Sequence, residues 1–127
     1  MATILVVDDN AVIRRMISVM LRRAEHTPIP AESVEEALQR LAESIVDLVL
    51  LDLAMPEVDG LSLLRQLRAD PRYQHLPIIM LTASAQDQDR EDARAAGAND
   101  FLNKPASSTE LLETVERWLM ERLLSAT

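Results

Sequence analysis

Five short aliphatic runs separated by stretches of helical periodicity constrain this chain more than any other feature. "TILVV" (3–7), "VDLVLLD" (46–52) and "LPIIMLTA" (76–83) are too short for buried helices and rich in branched residues, so they read as strands. The near-continuous aliphatics of the second run suit a central strand covered on both faces. "TPIPA" (27–31) is a weaker strand that belongs at a sheet edge, because Pro28 and Pro30 lack a ladder donor; "NDFLN" (99–103) is the last.

Between these runs the period changes to that of helices. After Asn10, a capping residue, Val12, Ile13, Met16, Ile17, Met20 and Leu21 form an apolar side, with Arg14, Arg15, Arg22 and Arg23 largely elsewhere. Ser33 with Glu36, and Ser107 with Glu110, stand in capping-box register at the start of two further helices, the second running over 107–125. Helices are also expected over 60–70, with Leu61, Leu64 and Leu67 on one side, and over 86–98, ended by Gly97. Strict alternation of strand and helix implies an α/β fold: a doubly wound, five-stranded parallel sheet with helices on both faces.

With 127 residues there is room for one domain, assigned to 1–127. A formal charge of −8 argues against direct nucleic-acid binding and favours cations. The absence of cysteine excludes a disulfide scaffold or Cys-based metal site. "ATILVVDDN" has no basic region and reaches acids too early for a signal peptide, and no apolar run is long enough for membrane insertion. The expected location is cytoplasmic.

Ligands of doubly wound sheets bind beyond the carboxyl ends of the strands, where the strand order reverses. Asp8 and Asp9 follow the first strand, Asp52 ends the third, Thr82 lies at the end of the fourth and Lys104 follows the fifth. In the order 2-1-3-4-5 the first and third strands are neighbours, so the three aspartates converge. Two carboxylates about 4 Å apart repel by roughly 4 kcal/mol at an effective dielectric of 20, so such a cluster calls for a cation. Mg²⁺ fits, since it takes oxygen ligands and needs few protein carboxylates. Lys104 adds positive charge and Thr82 a hydroxyl donor, the groups a phosphoryl substituent requires. Asp52 is then a candidate nucleophile toward phosphorus, with Pro56 shaping the turn after it and Gly60 providing backbone latitude at the entry to the next helix.

The stretches "ILVVDDN" (4–10), "DLVLLDLAMPEVDG" (47–60), "PIIMLTA" (77–83) and "AGANDFLNKP" (96–105) together resemble a receiver domain of the two-component response regulators, of the stand-alone chemotaxis-regulator kind, over essentially the full chain. The resemblance implies a flavodoxin-like (βα)5 sandwich. It implies that Asp52 accepts a phosphoryl group from a sensor histidine kinase or histidine phosphotransfer protein. Asp8, Asp9, Asp52 and the backbone carbonyl of Ala54 would bind Mg²⁺, while Thr82 and Lys104 would hold the phosphoryl oxygens. The family role is that of a phosphoacceptor assisting its own phosphorylation and dephosphorylation, rather than of an enzyme acting on other substrates. Phe101 occupies the position of the switch aromatic; from the residue alone, simple packing at a strand end is an equal reading. Ala54 and Ser84, both small, stand at positions that tune the lifetime of the phosphate.

Output is expected through a downstream protein target, with a homodimer through the fourth helix, fifth strand and fifth helix as a further option. Leu112, Met120, Leu123 and Leu124 widen the apolar arc of the final helix beyond Leu111, Val115, Trp118 and Leu119; a docking face and a fraying terminus both account for this. Two alternatives carry different expectations. An Mg²⁺-dependent aspartyl-phosphate phosphohydrolase would use the same nucleophile, although its usual Asp-x-Asp arrangement is missing here. A phosphorylation-independent, receiver-like adaptor would bind partners without using it.

Overall fold

The computed structural model describes residues 1–53, 60–83, 87–104 and 106–125. Its strands are β1 (Thr3–Val7), β2 (Thr27–Ala31), β3 (Leu48–Asp52), β4 (Ile78–Thr82) and β5 (Asp100–Asn103). Its helices are α1 (Ala11–Arg23), α2 (Val34–Glu43), α3 (Gly60–Arg68), α4 (Asp87–Ala95) and α5 (Ser108–Ser125), with a 3-10 turn at Pro71–Tyr73. All strand pairs are parallel and the order is β2-β1-β3-β4-β5, so the sequence expectation holds.

The two-residue period of the strands divides the core. Leu5, Val7, Val49, Leu51, Ile78 and Met80 face Ala37 and Leu41 of α2, Leu63, Leu64 and Leu67 of α3, and Ala93 of α4. Ile4, Val6, Leu48, Leu50, Ile79, Leu81 and Leu102 face Ile17 and Leu21 of α1 and Leu111 and Val115 of α5. Burial on both faces explains the unbroken aliphatic run of β3. β2 is an edge strand, as its prolines require; Pro28 and Pro30 lie opposite Ile4 and Val6.

The caps form as the sequence indicates. Asn10 Oδ1 accepts from the N–H groups of Val12 and Ile13, Ser33 Oγ from Glu36 and Ser107 Oγ from Glu110. Elements are shorter than expected where a side chain or turn takes over. Asp47 Oδ2 accepts the Thr3 N–H and Asn99 Oδ1 the Ile78 N–H, so both residues act as strand caps. α3 stops at Arg68, and Asp70 caps the 3-10 turn that follows.

In α3 the expected Leu61, Leu64 and Leu67 pack against one core, Leu64 and Leu67 fully and Leu61 in part, and Leu63 joins them. One expectation about a helix face needs correction. In α1 the sheet covers Ile17 and Leu21 and partly covers Ile13 and Met20, but Val12 is 67% exposed and Met16 and Val19 also face solvent. A helix touches a sheet along one stripe, and these three residues form a second stripe beside it. α5 buries Leu111 and Val115, half-buries Leu112, Trp118 and Leu119, and exposes Met120, Leu123 and Leu124.

Candidate functional site

β1, β3, β4 and β5 end along one edge of the sheet, and their parallel direction places their carboxyl ends together. Asp52 is the last residue of β3 and pairs with Leu81; Thr82 is the last of β4 and pairs with Asn103. Lys104 continues from β5, its N–H donating to the Thr82 carbonyl at 2.8 Å. The backbone ladder thus delivers three of the expected site residues to one place.

The side chains complete the grouping. Lys104 Nζ lies 3.1 Å from Asp8 Oδ2 and 3.2 Å from Asp52 Oδ1, bridging the ends of β1 and β3. One carboxylate oxygen each from Asp8, Asp9 and Asp52 lies within 4.8 Å of the others. Asp8, Asp52 and Thr82 are buried, with Asp52 only 1% exposed, whereas Asp9 is exposed and marks the side on which the cluster meets solvent. Burial by itself depresses the pKa of the Lys104 ammonium. The Asp8 hydrogen bond and the charge of Asp52 outweigh that, so its pKa lies above the ordinary lysine value and it is held as a cation.

Within this group of four side chains a single ammonium faces three carboxylates. The donor set is all hard oxygen, and its closely spaced anions repel one another unless a cation joins them. It therefore fits Mg²⁺ by charge and by ligand chemistry. Asp8 is held from several sides. Its N–H donates to the Ala31 carbonyl, its Oδ1 accepts the Asn10 N–H at 2.9 Å, and its carbonyl accepts from Arg14 Nη1 at 2.7 Å. The role of Arg14 was not read from the sequence; the only sequence signal is an arginine one turn into the helix that follows the paired acids.

The fifth candidate strand residue, Phe101, is half-buried and packs with the α2, α3 and α4 side of the core, with the Arg94 guanidinium 5.4 Å from its ring centre. It lies opposite Met80 in β4. Ala54 and Pro56 lie outside the described residues, as does Ser84. Gly60 is required for a different reason from the backbone latitude expected. Its N–H donates to the Leu53 carbonyl at 3.0 Å, and a β-carbon there would stand 2.1 Å from the Asp52 carbonyl oxygen. Close approach, not an unusual dihedral angle, excludes a side chain.

The sequence profile of the "Response regulator receiver domain" matches residues 4–116. The phosphate regulon transcriptional regulatory protein PhoB of Pseudomonas aeruginosa is 39% identical over 110 residues, covering 87% of this chain and 48% of PhoB. The chain therefore spans about half the length of that relative. An uncharacterized 14.6 kDa protein of Leptolyngbya boryana is 38% identical over 117 residues, which cover 92% of this chain and 89% of the other. Among solved structures, the chemotaxis protein CheY4 of Vibrio cholerae superposes with a TM-score of 0.88 at 32% identity, over 92% of this chain and 98% of CheY4.

Proposed function

The chain belongs to the response regulator receiver domain family of two-component signalling, and from that premise we propose that Asp52 is its phosphoacceptor. One carboxylate oxygen of Asp52 attacks the phosphorus of a phosphohistidine on a sensor kinase or phosphotransfer protein. The new P–O bond forms as the P–N bond breaks, and the imidazole departs. Lys104 shifts from the carboxylates toward the phosphoryl oxygens, and the Thr82 hydroxyl donates to another of them. Receiver domains generally bind Mg²⁺ in an acidic pocket; here Asp8, Asp9, Asp52 and the Ala54 carbonyl would hold it. When bound, the ion supplies neutralisation of charge on the transferring group.

The observation that carries this reading is the convergence of Asp52 and Asp8 on one lysine, at 3.2 and 3.1 Å. The test is incubation with Mg²⁺ and acetyl phosphate or a phosphorylated donor. Wild type gains one hydroxylamine-labile acyl phosphate and Asp52→Asn gains none; equal labelling of both would place the acceptor elsewhere.

Donor docking is assigned to α1, close to the cluster through Asn10. Its exposed Val12, Met16 and Val19 are flanked by Arg15 and Arg23, and the helix carries no acid. In a chain of net charge −8 this apolar and basic face suits an acidic donor surface. Phosphorylation then biases a two-state equilibrium in which Thr82 and Phe101 move and the α4–β5–α5 surface changes its protein target or its self-association. The same reading treats 1–127 as one receiver domain working in the cytoplasm, with output through protein contacts. No described helix is long and apolar enough to cross a membrane.

A further inference from the structure

Asp8 lies just beyond the end of β1, where its carbonyl has left the ladder, and the residue is fully buried. The half-buried side chain of Arg14 reaches back from α1 to that carbonyl, with Nη1 at 2.7 Å. Arg14 is itself fixed: its N–H donates to the Asn10 carbonyl at 3.0 Å, and its own carbonyl accepts the hydroxyl of buried Ser18 at 2.8 Å. The guanidinium therefore grips the peptide that joins Asp8 to Asp9. Rotation of that peptide would move Asp9, the exposed carboxylate of the cluster, away from Asp8 and Asp52.

We infer that Arg14 is a positioning residue for divalent-cation binding, acting through the Asp8 carbonyl to hold the Asp8 and Asp9 carboxylates in register. This rests on the proposal that the acidic cluster holds Mg²⁺. Two effects of Arg14 have opposite signs. As a cation near the cluster it opposes a second cation, so removing its charge alone would tighten Mg²⁺ binding. As a hydrogen-bond donor it orders the turn, so removing the bond loosens the ligands and weakens binding. The orienting effect dominates because the guanidinium is directed at a carbonyl rather than at a carboxylate of the cluster.

The experiment titrates Mg²⁺ into the unphosphorylated full chain and follows backbone amide resonances of the turn after β1. Wild type is compared with Arg14→Met, Arg14→Lys and Asp9→Asn, and thermal unfolding is measured in EDTA. Expected are a rise of about fivefold or more in the Mg²⁺ dissociation constant for Arg14→Met and recovery to within about twofold for Arg14→Lys, which restores a donor. Melting temperatures of the two Arg14 variants without metal should not explain that order. An unchanged or lower dissociation constant in Arg14→Met, with clear weakening in Asp9→Asn, would overturn the role of Arg14 and leave the metal site standing. Unaltered binding in Asp9→Asn would remove the metal site itself. Should Arg14→Met not fold, Arg14→Ala takes its place with the same weakening expected; an unchanged or lower dissociation constant in Arg14→Ala, beside clear weakening in Asp9→Asn, would overturn the role of Arg14.

Discussion

Gly60 sits so close to Asp52 that a β-carbon on it would lie 2.1 Å from the Asp52 carbonyl oxygen and 3.1 Å from the Leu53 α-carbon. Backbone, unlike the end of a long side chain, cannot move aside cheaply. Gly60→Ala must therefore displace the end of β3 or the start of α3, at roughly 1–3 kcal/mol. Because the displaced segment carries the proposed phosphoacceptor, the rate of phosphorylation by acetyl phosphate should fall together with the urea midpoint. A variant with wild-type stability and rate would show that the contact relaxes without consequence.

Glu25 occupies the left-handed region at φ 69°. The bonds from His26 N–H to the Leu21 carbonyl and from Glu25 N–H to the Arg22 carbonyl form the same C-terminal motif that Gly97 provides after α4. A non-glycine residue in this region costs on the order of 1–3 kcal/mol, whereas glycine adds entropy to the unfolded chain worth roughly 0.5–1 kcal/mol. Glu25→Gly should therefore stabilise by about 1 kcal/mol, raising the melting temperature by roughly 3–4 °C. No rise in a thermal scan would mean that the Glu25 side chain supplies a compensating interaction.

What could be read from the sequence was whatever depends on periodicity and on strand ends. The aliphatic runs specify strands, alternation with helices specifies a parallel sheet, and acids, threonine and lysine placed at strand ends specify where the cluster forms. Features that depend on approach in three dimensions were not readable. Gly60 looks like any helix-start glycine until Asp52 is seen against it. Arg68 looks like a solvated cation at a helix end. Instead it donates to the carbonyls of Gly97 (2.9 Å) and Tyr73 (2.6 Å) and to Asn99 Oδ1 (2.8 Å), tying α3 to the turn before β5. Burial among these neutral acceptors lowers its pKa. The exposed stripe of Val12, Met16 and Val19 is equally invisible to a pattern count, because its residues share the helical spacing of the core stripe.

Asp70 provides a pH-dependent contribution whose sign follows from its partners. The Arg72 guanidinium hydrogen bonds, then the Arg72 N–H, hold its pKa below the ordinary aspartate value. A carboxyl with a lower pKa in the folded than in the unfolded state adds stability above the unfolded value, near 4, that disappears as pH falls through the folded value. Asp70→Ala should thus lower the urea midpoint slightly at pH 6, and the gap from wild type should narrow below about pH 4 as the cap is protonated. Arg72 is exposed and Asp70 only half-buried, so solvent screens the pair and the effect is small. A gap that stays constant from pH 6 to pH 3 would assign it to loss of the neutral cap alone.

Lys104 joins two buried carboxylates, and removing it separates structural from chemical roles. Lys104→Met leaves Asp8 and Asp52 adjacent without their shared ammonium, and breaking a buried ion pair from one side costs roughly 3 kcal/mol. Mg²⁺ should restore part of that stability, so the variant gains more from the ion than wild type does in parallel urea titrations. Restored folding should not restore chemistry. Losing the donor proposed for the phosphoryl group should slow phosphorylation by roughly a hundredfold even at saturating Mg²⁺. Lys104→Arg keeps the charge but presents a planar guanidinium in place of a compact ammonium, so it should recover more stability than rate. Wild-type phosphorylation in Lys104→Met, once Mg²⁺ has restored its fold, would confine Lys104 to holding β1 and β3 together.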